Sequence, residues 1–128
     1  MNWTLEVVAV PVTDVERAKS FYRDQVGFRL DHDTWATETM RVVQLTPPGS
    51  ACSIVVGIGL IESAPGSLKG LQLVVPDIEA ARAHLVEHGV AVSEIQQFST
   101  ADGGTFVFFD DPDGNGWAVQ EIRARARG

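Results

Sequence analysis

Thiol chemistry is nearly absent from this chain. Cys52 is its one cysteine, which excludes an intrachain disulfide and any zinc site built on cysteine sulfur. It stands in the apolar run Ala51–Gly59, which suits a buried structural thiol better than a nucleophile. Basic residues are also scarce: 10 Lys and Arg face 17 Asp and Glu, a net charge of −7. Nucleic acid is thereby excluded as a partner, since phosphate-backbone affinity comes from Lys and Arg. Such an acidic balance tolerates or attracts a cationic small molecule instead. No apolar run approaches membrane-spanning length, and the N-terminus lacks a basic segment followed by an apolar stretch. The expectation is a cytoplasmic location with no membrane partner. Phosphate loops, dinucleotide fingerprints and glycine-framed serine elbows are missing as well.

What the chain does contain is a duplication. Val8–Phe28 can be laid over Leu71–Val90, so that Asp14 falls on Asp77, Val15 on Ile78, Glu16 on Glu79 and Ala18 on Ala81. Each copy opens with alternating apolar residues, then an Asp, then a helix-period segment closed by Gly27 or Gly89. Period-two alternation predicts a strand, and the Asp a helix cap; Thr13 with Glu16 also has capping-box spacing. Short strand-like runs follow each helix: Phe28–Trp35, Met40–Leu45 and Cys52–Gly59, then Val90–Phe98, Thr105–Phe109 and Trp117–Ile122. Each half therefore reads β-α-β-β-β. The fold class is α+β, with two tandem modules forming a cupped mixed sheet: module one about 1–62, a linker about 63–67, module two about 68–128, all within a single domain. The turn Asp111–Asn115, "DPDGN", reads as architecture, with Asp113, Gly114 and Asn115 as residues that tolerate positive φ. The arginine-rich end, Arg123–Gly128, reads as a solvated tail.

A doubled β-α-β-β-β unit carrying "VPVTDVERAKSFY", "VGF", "VVPDIEAA" and "FFDDPDGNGWAVQEI" resembles the vicinal oxygen chelate superfamily. That group includes glyoxalase I, extradiol dioxygenases, fosfomycin-inactivating transferases and bleomycin-binding resistance proteins. The resemblance covers nearly the whole chain and implies a pair of cupped sheets and a homodimer. It does not fix the chemistry. The metal-dependent members place His, Gln or Glu at four strand positions. Here those positions carry Val7, Gly70, Ala118 and a residue near Val55, none with a side-chain donor. No metal and no cofactor is expected. His84 and His88 stand four apart on the second helix but read as a solvent-exposed pair, and His32 between Asp31 and Asp33 reads as surface charge.

Strand parity then assigns the cavity. With Val7, Gly70 and Ala118 facing inward, Val8, Val10, Leu71, Leu73 and Val119 pack on the helices. The inward set becomes Gln72, Val74 and Gln120, extended through the other strands to Met40, Val42, Gln44, Ser53 and Trp35. Glutamines offer neutral donors and acceptors suited to hydroxyl, carbonyl or amide groups of a ligand. Trp35, Phe106 and Phe108 are expected to stack a planar molecule, whereas Phe109 and Trp117 are expected in the core. The ligand-binding set is therefore Trp35, Gln44, Ser53, Gln72, Gln120, Phe106 and Phe108. No catalytic residue is assigned; Glu38 is the carboxylate to check. The leading expectation is a metal-free protein that sequesters an aromatic or heteroaromatic compound. Two other readings stay open: a lyase, isomerase or dioxygenase with a non-standard site, and an interaction module with an unfilled cleft.

Overall fold

The structure, a computed structural model, describes residues 1–127. The chain runs β1 (Val7–Ala9), α1 (Val15–Ser20) continuing as a π-helical segment (Phe21–Val26), β2 (Arg29–Trp35), β3 (Arg41–Thr46) and β4 (Ser53–Ile58). It then repeats as β5 (Leu71–Val75), α2 (Ile78–Glu87), β6 (Gln96–Gln97), β7 (Thr105–Asp110) and β8 (Gly116–Glu121), and ends in a 3-10 turn (Arg123–Arg127). Gly128 of the expected tail lies outside the described residues. Two four-stranded sheets result, ordered β1-β4-β3-β2 and β5-β8-β7-β6. In each, the opening strand pairs parallel with the last and the remaining neighbours are antiparallel. The parallel pair requires a crossover, and the helix of each half supplies part of it. The α+β class and the tandem modules read from the sequence are what the chain forms. Among the described residues, no helix is long and apolar enough to cross a membrane.

The local signals act largely as expected. Asp14 and Asp77 cap the two helices, accepting from the backbone N–H of Arg17 and Ala80 at 3.1 Å each. Thr13 does not close a capping box; its hydroxyl donates instead to Asp113 at 2.7 Å. Gly27 ends the first helix at φ 102°, a left-handed turn that glycine makes without strain. One expected strand is largely absent. Of Val90–Phe98, only Gln96–Gln97 forms a strand, with an isolated bridge between Val92 and Phe109. At Ser93 only half of the ladder pairing is made: its N–H donates to the Phe108 carbonyl at 2.9 Å, but its side chain takes the Phe108 N–H and its carbonyl turns to Arg82.

Residues of both halves meet in one core. Val10, Phe21, Tyr22, Val43, Leu45, Ile54 and Val56 join Ile78, Leu85, Val107, Phe109, Trp117 and Val119. Each such side chain, once fully buried, contributes about 1.5–3 kcal/mol by leaving water. The helix-side faces of the two sheets thus pack into a shared interior, as parity requires for Val10, Val119, Phe109 and Trp117. The turn Asp111–Asn115 pins this arrangement. Asp111 accepts from the backbone N–H of Asp113 and Asn115, from the Asn115 side chain, and from the Tyr22 hydroxyl, at 2.8–2.9 Å. Asn115, wholly buried, also donates to the Pro11 carbonyl and accepts from the Leu68 N–H. Only Gly114 of the turn has positive φ, at 95°; Asp113 and Asn115 serve through their side chains instead. The histidine pair is not simply solvent-facing. His84 Nε2 lies 3.0 Å from the Val26 carbonyl and ties α2 to the end of the first helix.

Candidate functional site

Side chains directly opposite each other in a ladder share a face, so the registers define the surface turned away from the core. In the second sheet, Gln72 is opposite Ala118, which is opposite Phe108. The next row runs Val74, Gln120, Phe106 and Gln96. Phe108 and Phe106 lie nearly parallel, 7° apart, with centroids 6.0 Å apart. Phe98 sets its ring edge-on to both, at 5.8 and 6.5 Å. Phe98 is 67% exposed and Phe108 37%, an unusual amount of aromatic surface for a strand edge to leave in water. Phe106 and Phe108 are among the aromatics the sequence offered for stacking; Phe98, two residues beyond Gln96, is not among them.

Beside the aromatics the glutamines form a directed chain. Gly103 offers a carbonyl, which only accepts, so Gln120 turns its amide nitrogen to it at 2.8 Å. The Gln120 oxygen then accepts from the Gln72 nitrogen at 2.7 Å. In the first sheet, Gln44 stands opposite Val55 and His32 on the outward face. Ser53 is buried, and its hydroxyl lies 2.6 Å from that of Thr46. The Thr46 hydroxyl in turn donates to Asp31. Asp31 is the extra residue of a bulge between Leu30 and His32, which is how it reaches Thr46. The Thr46 hydroxyl, and then Arg29, hold its carboxyl below the usual carboxylate range. Thr46 falls one residue beyond the expected strand Met40–Leu45, and Asp31 escapes strict alternation because alternation cannot anticipate a bulge. Asp31 and Asp33 are not idle surface charge either: Asp33 bonds Lys19 at 2.8 Å and Arg41 at 2.7 Å.

Ser53 and Gln72 come together at one cavity of about 300 Å3 between the edges of the two sheets. Leu5, Val8, Ile54, Leu71, Leu73 and Trp117 supply most of its apolar wall. A second cavity of about 340 Å3, lined by Phe28, Pro47, Leu73, Ala81, Leu85 and Phe109 among others, includes none of the expected ligand-binding residues.

Trp35 does not join the site. It pairs with Arg41, so it shares the face of Arg41 and Asp33, the face that α1 covers through Lys19 and Glu16. Alternation within β2 and β3 therefore separates Trp35 from Gln44, although it is 56% exposed. Met40 precedes β3, and Glu38 is exposed on the connection between β2 and β3.

The metal positions are equally clear. Val55 pairs with Ala9 in the first sheet as Ala118 pairs with Gln72 in the second, so the two are equivalent by the repeat. A divalent cation needs nitrogen, oxygen or sulfur donors. Val7, Val55, Gly70 and Ala118 offer none from their side chains. Among the described residues, no group of three His, Cys, Asp or Glu side chains comes together to hold one. These positions do not fit a metal. Ala118 instead leaves a flat floor between Gln72 and Phe108.

Comparison with known proteins agrees with this geometry. A family model described as the glyoxalase/bleomycin resistance protein/dioxygenase superfamily matches residues 4–119. No curated protein matches. Among solved structures, TnmS3, an antibiotic binding protein from Streptomyces sp. CB03234, is 36% identical with a TM-score of 0.82, covering 94% of this chain and 97% of that one. A glyoxalase/bleomycin resistance protein from the same strain is 37% identical with a TM-score of 0.79, covering 92% of this chain and 100% of its own. A superfamily member from Sphaerobacter thermophilus DSM 20745 is 28% identical with a TM-score of 0.81, over 94% and 98% of the two chains. With its repeat, its paired sheets and this match over most of its length, the chain belongs to the glyoxalase/bleomycin resistance protein/dioxygenase superfamily.

Proposed function

We propose that this protein binds a planar, largely apolar small molecule and sequesters it unchanged, without a metal ion. The observation that carries the reading is the outward face of the second sheet. Phe98, Phe106 and Phe108 offer ring surface, and the Gln72–Gln120 chain offers polar anchoring beside it. Aromatic walls with a few placed polar groups are the usual composition of a small-molecule site. The donor-free residues at Val7, Val55, Gly70 and Ala118 support a binding role over a metal-dependent reaction. The likeness to TnmS3, named an antibiotic binding protein, points to the same kind of function.

The protein is proposed to act as a homodimer. Trp3 and Leu5 are 86% and 70% exposed, and with Phe98 they leave apolar surface that a second copy would cover. Sedimentation finding only a 13.9 kDa species at micromolar concentration would count against the dimer.

The binding reading is tested by titrating polycyclic aromatic compounds while following tryptophan fluorescence, then recovering the bound compound. Saturable quenching with the compound recovered intact is the expected result. Steady conversion to a product overturns sequestration, and the absence of any saturable binding overturns the site.

A further inference from the structure

The cavity between the sheet edges holds few polar groups, and the hydroxyl protons on them are already committed. Asp31 is paired with Arg29 and, as a carboxylate, can only accept. Thr46 has one hydroxyl proton and gives it to Asp31. The 2.6 Å contact between Thr46 and Ser53 must then be made by the Ser53 proton, since Thr46 has none left. Ser53 is left facing the cavity with lone pairs only. Ser50, in the same wall, spends its proton on the Cys52 carbonyl at 2.9 Å. On the opposite wall the chain from Gly103 through Gln120 fixes the Gln72 nitrogen toward Gln120. That turns the Gln72 oxygen outward as an acceptor, beside one spare N–H.

We propose that this cavity selects molecules carrying a hydrogen-bond donor, an amine or ammonium group in particular, with Ser53 Oγ and Gln72 Oε1 as the accepting pair and the Asp31–Thr46 relay as the device that fixes Ser53 in that role. The inference rests on the binding reading above and specifies the polar end of its ligand. A carboxylate at the far end of a hydroxyl chain polarises each bond toward it and makes the terminal oxygen a better acceptor. An acceptor group set against Ser53 would meet lone pairs with no proton between them, at the cost of an unmade hydrogen bond. Selection is therefore by rejection of acceptor-only molecules as much as by attraction of donors.

Two probes of matched shape test this: naphthylmethylamine and naphthylmethyl methyl ether, titrated by calorimetry. The amine is expected to bind about tenfold or more tightly than the ether, the value of one hydrogen bond from a charged donor. An acidic protein attracts an amine at any site, so two variants carry the decision. Ser53→Ala is expected to reduce the preference to about threefold or less by weakening the amine. Thr46→Val is expected to reduce it from the other side: Ser53 regains a free proton and the ether gains affinity. A preference unchanged in Ser53→Ala and Thr46→Val overturns the relay, as does an ether that binds the parent protein as tightly as the amine; the binding reading survives both. If neither probe binds, the inference and that reading fall together.

Discussion

The hydroxyl of Tyr22, on the first helix, donates to Asp111 of the second module at 2.8 Å, deep inside the shared core. Trp117 in turn donates its indole N–H to that hydroxyl at 2.9 Å. These bonds join the two halves of the repeat within a cluster of aromatic rings. Removing Asp111 would orphan four donors, those of Asp113, Asn115 (two) and Tyr22. Asp111→Ala is expected to cost about 3 kcal/mol or more, and Tyr22→Phe about 2 kcal/mol, by denaturant unfolding. Equal stability of Asp111→Ala and the parent would remove this contact from the account.

Burial first, and the Asp111 carboxylate second, raise the Tyr22 phenol well above its ordinary value. An acid with a raised folded pKa stabilises the fold fully below its unfolded value, about 10 for tyrosine, and loses that contribution as pH climbs past it. Tyr22 is the only tyrosine, so phenolate absorbance reports it alone. The absorbance is expected to stay flat above pH 10 until the chain unfolds, and then to rise with the unfolding transition. A smooth titration in the native protein would contradict the buried contact.

On the acid side, Arg41 and then Lys19 hold Asp33 well below the usual carboxylate range. A depressed folded pKa stabilises above the unfolded value, about 4, and the contribution disappears as pH falls below it. These side chains are 12–19% exposed, so solvent weakens the effect only in part. Asp33→Asn is expected to cost about 1–2 kcal/mol at neutral pH and much less at low pH, measured as unfolding against pH. A penalty independent of pH would assign the loss to packing instead.

The outward face of the second sheet and the helix-covered face of the first separate the aromatic variants. Phe108→Ala is expected to weaken a polycyclic aromatic probe by about tenfold, since it removes stacking area. Gln120→Ala is expected to weaken it about fivefold. Trp35→Ala, on the face that α1 covers, is expected to leave affinity unchanged. Fluorescence titration of the three decides it, and a large loss in Trp35→Ala would mean that the β2–β3 register differs in solution.

With no side-chain donor at Val7, Val55, Gly70 or Ala118, chelator treatment is expected to leave the melting temperature unchanged. Elemental analysis after purification from metal-rich buffer is expected to find no stoichiometric Zn, Ni, Mn or Fe. One tightly held metal per chain would overturn the metal-independent proposal.

The amino-acid order alone determined what repeats and what alternates. Asp14 and Asp77 before helical periodicity, Gly27 and Gly89 after it, and apolar alternation in β1, β5 and β8 are local properties, readable because caps and pleats depend on neighbours a few residues away. The same alternation placed Gln72 and Gln120 on one face, and the strand register sets Phe106 and Phe108 beside them. What the sequence could not decide were features that depend on a partner strand. Trp35 sits where its pairing with Arg41 puts it, and that register is set across a turn and a bulge rather than along β2. The bulge at Asp31 turns a surface-looking acid into the end of a hydroxyl relay. Ser93 takes the Phe108 N–H with its side chain where a strand would offer its carbonyl. Each of these contacts joins separate segments across a turn or loop. Folding alone brought them within hydrogen-bonding reach, because a bond of 3 Å is settled by tertiary geometry and not by sequence spacing.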